Sequence, residues 1–194
     1  RPGDRRRRRQ PARAGRPQPA EAPRRYLAWH KPSQLDIRGG GDALAGCLPA
    51  ATPGLEPVGR LDGRTAGLLL VSNDHWWASS ILTRRKLERE FRLVAQGEVG
   101  DLEVGIILGG MHLQSLGFVR PAEVKVVARS RESTELRLTL RGGKIRQVRH
   151  LFSSLRHEVR ELTVVRIAAV RLGDLPVGRC RALTRAEVQA LRQG

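Results

Sequence analysis

Polar and apolar positions alternate with two different periods along this chain, and the changes of period divide it into elements. RYLAWHKP, residues 25–32, alternates as a strand does and stops at Pro32, which has no N–H to give to a ladder. LLLV, residues 68–71, is an unbroken apolar run, the mark of a strand covered on both faces. Ser72, Asn73 and Asp74 follow and offer side-chain acceptors to the open N–H groups of a helix predicted from about His75 to Thr83. EFRLVAQGEV, residues 90–99, is the next predicted strand, and Asp101 is expected to cap a short helix ending at Gly109 and Gly110. In TELRLTL, residues 134–140, the alternation puts Leu136, Leu138 and Leu140 on one face of a half-buried strand. After Gly142 and Gly143 the period lengthens. In KIRQVRHLFSSLR, Ile145, Val148, Leu151, Phe152 and Leu155 fall at helical spacing, with Arg146, Arg149 and His150 off that stripe. ELTVVRIAAVRL, residues 161–172, reads as a further strand. Thr184 with Glu187 then makes a capping box for a last helix carrying Val188 and Leu191.

Strands and helices are mixed here without a regular strand–helix–strand alternation, so the expected class is α+β with a mainly antiparallel sheet. No internal repeat is visible. GGGDALAGCLP, residues 39–49, reads as a Gly-rich loop leading into a short helix; its glycines lack the following Lys-Ser/Thr of a phosphate loop, so it is not read as a nucleotide site. At 194 residues the chain suits one domain or two small lobes with a real core. Residues 1–25 stand apart: ten arginines and five prolines against two acids, with no large apolar side chain. Such a segment buries too little to offset its ordering entropy and is expected to be a disordered tail, with the folded domain over residues 26–194.

Charge narrows the partner. Lys+Arg number 36 against 19 Asp+Glu, a formal +17, which points to a polyanion and first to nucleic acid. All but Lys31, Lys86, Lys125 and Lys144 of these cations are arginine, whose guanidinium forks suit phosphates and stacking on bases; a GC-rich genome raises arginine as well. Cys47 and Cys180 are too few for a disulfide framework or a zinc site, and the five histidines have no ligand spacing, so no metal is expected. No apolar stretch is long enough to span a bilayer and no secretory signal is visible, so a cytoplasmic protein without membrane contact is expected.

GRLDGRTAGLLLVSND, residues 59–74, pins Asp62 between glycines and arginines in front of the apolar run. On its own it reads as a turn feeding a buried strand, with Asp62 capping the turn and both arginines in solvent. Two further stretches, REFRLVAQGEV (residues 89–99) and GGKIRQVRHLFSSLRHEVRELTVVRIAAVRLGDLPVGRCRALT (residues 142–184), follow in order. Together the three resemble the RsuA branch of the pseudouridine synthases: its catalytic Gly-Arg-Leu-Asp loop, its Lys-x-Tyr strand and its C-terminal Arg-Gln-Val-Arg block. HKP (residues 30–32) and GGMHLQSLGFVRPAEV (residues 109–124) also fit. The branch often carries an S4-type RNA-binding domain, and none is expected here before HKP. In that respect the sequence is most similar to the RluE type, which acts on 23S rRNA.

The resemblance implies the pseudouridine synthase fold, two lobes with a catalytic cleft between them. It implies isomerisation of an rRNA uridine, in 23S ahead of 16S rRNA, free or in a preribosomal particle, by a monomer that needs no cofactor. It makes Asp62 the catalytic carboxylate and Arg149 its counter-charge. Without that resemblance, Arg149 reads equally as a solvated helix arginine. Arg60 would fill the space left by a flipped base, Thr65 would shape the loop with Gly59, Gly63 and Gly67, and Phe91 would stack on the target base. Arg89, Arg146, Gln147 and Lys31 complete the expected substrate contacts. The sequence departs from the family at Phe91, where Tyr is usual, and at Arg89, where Lys is usual. Both departures also fit a second class, a non-catalytic rRNA-binding or assembly factor of the same fold. A metal-dependent nuclease would need clustered carboxylates, which the scattered Asp and Glu residues do not supply.

Overall fold

The computed structural model describes residues 22–37, 53–142 and 145–193. Residues 1–21, the Gly-rich loop and helix expected over residues 39–49 with Cys47, and the Gly143-Lys144 pair lie outside the described residues. In chain order the elements are β1 (Tyr26–Lys31), β2 (Glu56–Val58), β3 (Ala66–Ser72), α1 (His75–Leu82), β4 (Glu88–Gln96), α2 (Asp101–Gly109), β5 (Met111–Leu113), β6 (Gly117–Val119), β7 (Glu123–Arg129), β8 (Ser133–Arg141), α3 (Ile145–Ser154), β9 (Val159–Ile167), β10 (Val170–Arg171), β11 (Cys180–Ala182) and α4 (Arg185–Gln193).

The main sheet runs β11-β1-β3-β9-β4-β8-β7, with β2 also pairing β3 and β10 also pairing β9; β5 and β6 form a separate hairpin. Every pairing is antiparallel except β3 with β9, so the α+β expectation holds. The two expected lobes are two halves of one sheet. They meet where β3 and β9 run parallel for two register pairs, Ala66↔Thr163 and Gly67↔Val164.

Gly67 makes that junction possible. Its φ is +104°, and a Cβ there would lie 2.3 Å from the Val164 carbonyl oxygen and 2.6 Å from the Val164 nitrogen. Only glycine takes this conformation at so close a backbone approach. Leu68, Leu69, Leu70 and Val71 follow directly and are all buried, as their unbroken apolar run requires.

Asp74 closes β3 and opens α1. Buried itself, it accepts from the Trp77 N–H at 3.1 Å and from the Tyr26 hydroxyl at 2.7 Å. Burial pushes its carboxyl pKa up, but the Tyr26 and Trp77 hydrogen bonds and the Arg24 and Arg192 charges outweigh this and hold it below the ordinary value. An N-cap of this kind contributes about 1 kcal/mol. The Asn-Asp pair of the loop motif is thus a structural fastening. Asn73 accepts from the Arg25 N–H at 2.7 Å, Ser72 donates to the Arg25 carbonyl at 2.7 Å, and Arg24 pairs with Asp74 at 3.3 Å. Residues 23–25, which the sequence reading gave to the tail, are therefore bound to the domain.

Other details differ from expectation for local reasons. The N-cap of α2 is Gly100, with Asp101 the first helical residue, because the Glu103 carboxylate already accepts from the Gly100 N–H at 2.8 Å. The strand read over residues 161–172 is two strands, β9 and β10, folded back through Ala168 in the left-handed region (φ +49°). Trp29 and Trp77 are buried, whereas Trp76 is 85% exposed. The Thr184–Glu187 box forms as predicted, with Thr184 N–H donating to Glu187 at 2.8 Å and Glu187 N–H to Thr184 Oγ1 at 3.2 Å.

Candidate active site

The chain between β2 and β3 turns at residues 62–65, where the Thr65 N–H donates to the Asp62 carbonyl at 3.2 Å. The Thr65 hydroxyl donates to Asp62 Oδ1 at 2.8 Å and fixes the carboxylate on its own turn. A hydrogen bond to a charged acceptor is worth about 1.5–3 kcal/mol. Asp62 is exposed, Thr65 is wholly buried beneath it and Leu61 anchors the approach in the core. Gly59 enters the loop at φ +94°, where a side chain would be strained; Gly63 has open space around it and an ordinary φ.

Two cations hold Thr65, one at its carbonyl and one at its hydroxyl. Lys31 ends β1 fully buried, and its Nζ donates to the carbonyls of Thr65 and Pro32 at 2.9 Å each. Burial pushes the Lys31 pKa down, while the charges of Asp62 and Asp36 oppose that. Just beyond HKP, Gln34, left-handed at φ +66°, donates its N–H to the Gly63 carbonyl at 2.6 Å. Arg149 comes from α3. Its Nη1 donates to the Val159 carbonyl at 2.9 Å, and its Nη2 to the Arg64 carbonyl at 3.1 Å and the Thr65 hydroxyl at 3.5 Å. Burial lowers the Arg149 pKa, partly offset by the Asp62 charge. The expected pairing of Arg149 with Asp62 therefore runs through Thr65: guanidinium to hydroxyl, hydroxyl to carboxylate.

The structure thus gathers Asp62, Thr65, Arg149 and Lys31, with Lys31 behind the turn where a substrate would not touch it. Arg60 lies on the same loop and Arg146 one turn before Arg149 on α3, both exposed. Gln147 is half-buried and donates to the Leu116 carbonyl at 3.5 Å, linking α3 to the β5–β6 hairpin. Phe91 is not brought to the surface. It pairs across the sheet with Leu138 and Val164, level with Gly67 and two strands away, and has no exposed surface. Stacking on a base requires the residues over this ring to move. Arg89 shares that face of β4, and burial lowers its pKa.

The geometry defines an α+β protein that presents one pre-fixed carboxylate beside the junction of two sheet halves, backed by buried Lys31 and half-buried Arg149. Residues 25–154 match the family model described as RNA pseudouridylate synthase, and the chain belongs to that family. An uncharacterized RNA pseudouridine synthase of Aquifex aeolicus is 32% identical over 70% of this chain and 54% of its own length. Ribosomal large subunit pseudouridine synthase B of Bacillus subtilis is 31% identical over 70% of this chain and 57% of its own. Ribosomal small subunit pseudouridine synthase A of Escherichia coli K12 is 30% identical over 71% of this chain and 59% of its own. The chain therefore spans a little over half the length of these relatives. A crystal structure of a pseudouridylate synthase shares the fold, with a TM-score of 0.76 at 23% identity over 88% of this chain and 74% of that one.

Proposed function

We propose that this protein isomerises uridine to pseudouridine in ribosomal RNA, with Asp62 as the catalytic carboxylate. The observation that carries the reading is the clamp on Asp62: a carboxylate held by Thr65 at 2.8 Å, on a turn fastened from below by Lys31 and from the side by Arg149. A group positioned before substrate arrives needs no rearrangement at the moment of reaction.

In the reaction the N1–C1′ bond breaks and a C5–C1′ bond forms; N1 gains a proton and C5 loses one. Atoms and electrons balance within the nucleotide, so no cofactor enters. Asp62 serves either by attacking the nucleotide or by taking a sugar proton, and both routes need it ionised. Asp62 is exposed in the free protein, so the docked RNA itself must exclude water from it. The cations Arg149 and Lys31 both hold the turn that carries it. A uracil stacked in folded RNA must first be flipped out, at a few kcal/mol unless it is already unpaired. Exposed Arg60, two residues before Asp62, is assigned to the vacated space.

The names of the relatives support ribosomal RNA as substrate, and they include both subunits. Our reading keeps 23S ahead of 16S, and a cytoplasmic monomer. Incubation with 23S and 16S transcripts, followed by carbodiimide treatment and primer extension, tests it. One protein-dependent stop at a uridine in 23S RNA is expected. A stop in 16S RNA alone would reverse the choice of subunit. Binding without any stop would favour the non-catalytic RNA-binding factor, to which Phe91 and Arg89 give some support.

A further inference from the structure

Helix α3 ends in a left-handed residue, and that residue is an arginine. Arg156 has φ +65°. Its N–H donates to the Ser153 carbonyl at 3.0 Å, and the His157 N–H donates to the Phe152 carbonyl at 2.9 Å. This pair of bonds closes a helix whose first residue beyond the end is left-handed, a place that glycine fills most often because any Cβ is strained there. The Arg156 guanidinium gives no structural return for that strain. Among the described residues it makes no ion pair and no side-chain hydrogen bond.

It lines instead an open groove of about 360 Å³ with Arg64, Arg149, His150, Ser153 and Glu158. The groove starts at the turn that carries Asp62, since the Arg64 carbonyl accepts from Arg149 there. Three guanidinium groups face one carboxylate in it. That carboxylate, Glu158, pairs with Arg64 at 3.5 Å, and both side chains are more than half exposed. An exposed pair of this kind is weak and gives way readily to a competing anion. His157 is not available to a ligand, being held by the Gln96 carbonyl and Glu103 at 2.8 and 2.9 Å.

We propose that Arg156, together with Arg64 and His150, binds the phosphodiester backbone of the RNA strand next to the target nucleotide. The inference rests on the function proposed above. An RNA strand is favoured over an acidic protein segment because the groove is continuous with the turn of Asp62, so a strand with one nucleotide at Asp62 has its neighbouring phosphates within the groove.

Arg156→Gly separates binding from folding, because glycine removes the guanidinium and the backbone strain together. With a uridine-containing RNA stem-loop, Kd should rise about fivefold at 0.1 M salt, and the slope of log affinity against log salt should fall by roughly 0.7, one phosphate contact on a single strand. The Tm should hold or rise by about 2 °C. Arg156→Lys should keep most of the affinity. An unchanged Kd and slope in Arg156→Gly overturns the groove whether or not the protein makes pseudouridine. A Tm lowered in Arg156→Gly overturns it too, since the side chain would then be structural. Normal RNA binding with the expected loss in Arg156→Gly, but no pseudouridine from wild type, upholds the groove and defeats the proposed reaction alone. Competition by an acidic peptide but not by RNA would give the groove to a protein partner and overturn the RNA assignment.

Discussion

Two regions of this molecule use arginine in opposite ways. On the outer face of the β4–β8–β9 sheet, arginines alternate with glutamates. Arg141 and Arg166 meet Glu88, Arg137 and Arg166 meet Glu90, and Arg92 meets Glu135. Glu90 is only 15% exposed and Arg166 16%, and each of the two makes more than one contact. Around the turn of Asp62 the pattern changes, with Arg64 meeting a carboxylate only in an exposed 3.5 Å pair with Glu158. Arg60, Arg146 and Arg156 have no carboxylate partner among the described residues, and Arg149 spends its guanidinium on carbonyls and a hydroxyl. The difference teaches where an anion belongs. A net charge of +17 locates nothing by itself. Unneutralised arginines beside Asp62 leave the face that presents the carboxylate open to an anion.

The comparison can be broken most severely at Arg149. Arg149→Ala should lower turnover by about 10²-fold, the usual loss when one pre-placed donor is removed. Single-turnover kinetics with the RNA found by primer extension measures it, and a rate near wild type would detach Arg149 from the site.

Deleting residues 1–21 removes eight arginines and two acids while sparing the residues 23–25 that hold Asn73 and Asp74. We expect weaker RNA binding and a shallower salt dependence, each lost phosphate contact taking roughly 0.7 from the slope of log affinity against log salt. The bound complex should react at the same maximal rate. An identical slope would make the segment a solvated appendage.

On the neutralised face the expectation inverts. Glu90→Gln leaves Arg137 and Arg166 each short of a charge partner, and should lower Tm by about 3 °C, roughly 1 kcal/mol in a chain of this size. RNA affinity should stay within twofold. A large change in affinity would show that the ladder also faces RNA.

The smallest effect concerns His157, which ties the end of α3 to α2. Burial pushes its pKa down, but the Gln96 carbonyl and Glu103 outweigh this and hold it above the ordinary value. Because the folded pKa is raised, the stabilisation is fully present below about pH 6.5 and is lost as pH rises through the folded value. Glu103→Gln should therefore lower Tm by about 2 °C near pH 6 and by less at pH 9. A Tm difference that grows with pH would contradict the pairing.

Much of this architecture was legible in the chain. The alternation in TELRLTL, the apolar run LLLV and the two caps at Asp74 and Thr184 each became the element they announce, because burial and capping act locally. Three features were not legible. β7 alternates weakly and keeps Val127 49% exposed, so it carries little burial signal. The fold-back at Ala168 and the left-handed end of α3 at Arg156 lack the glycine or asparagine that marks such places. At the site, the Gly-Arg-Leu-Asp and Arg-Gln-Val-Arg stretches led to Asp62 and Arg149. That Thr65 stands between those two, and that Lys31 is buried beneath it, depends on β1 and β3 lying side by side, Lys31 level with Gly67. No local pattern carries a pairing of that range.

The central claim is that the clamped carboxylate does the chemistry. The most direct measurement is tritium release from RNA labelled at uridine C5, under single-turnover conditions, comparing wild type with Asp62→Asn. The account predicts release by wild type and none above the protein-free rate by Asp62→Asn, with RNA affinity and Tm nearly unchanged because asparagine keeps the acceptor for Thr65. Release by Asp62→Asn at a rate comparable to wild type would contradict it.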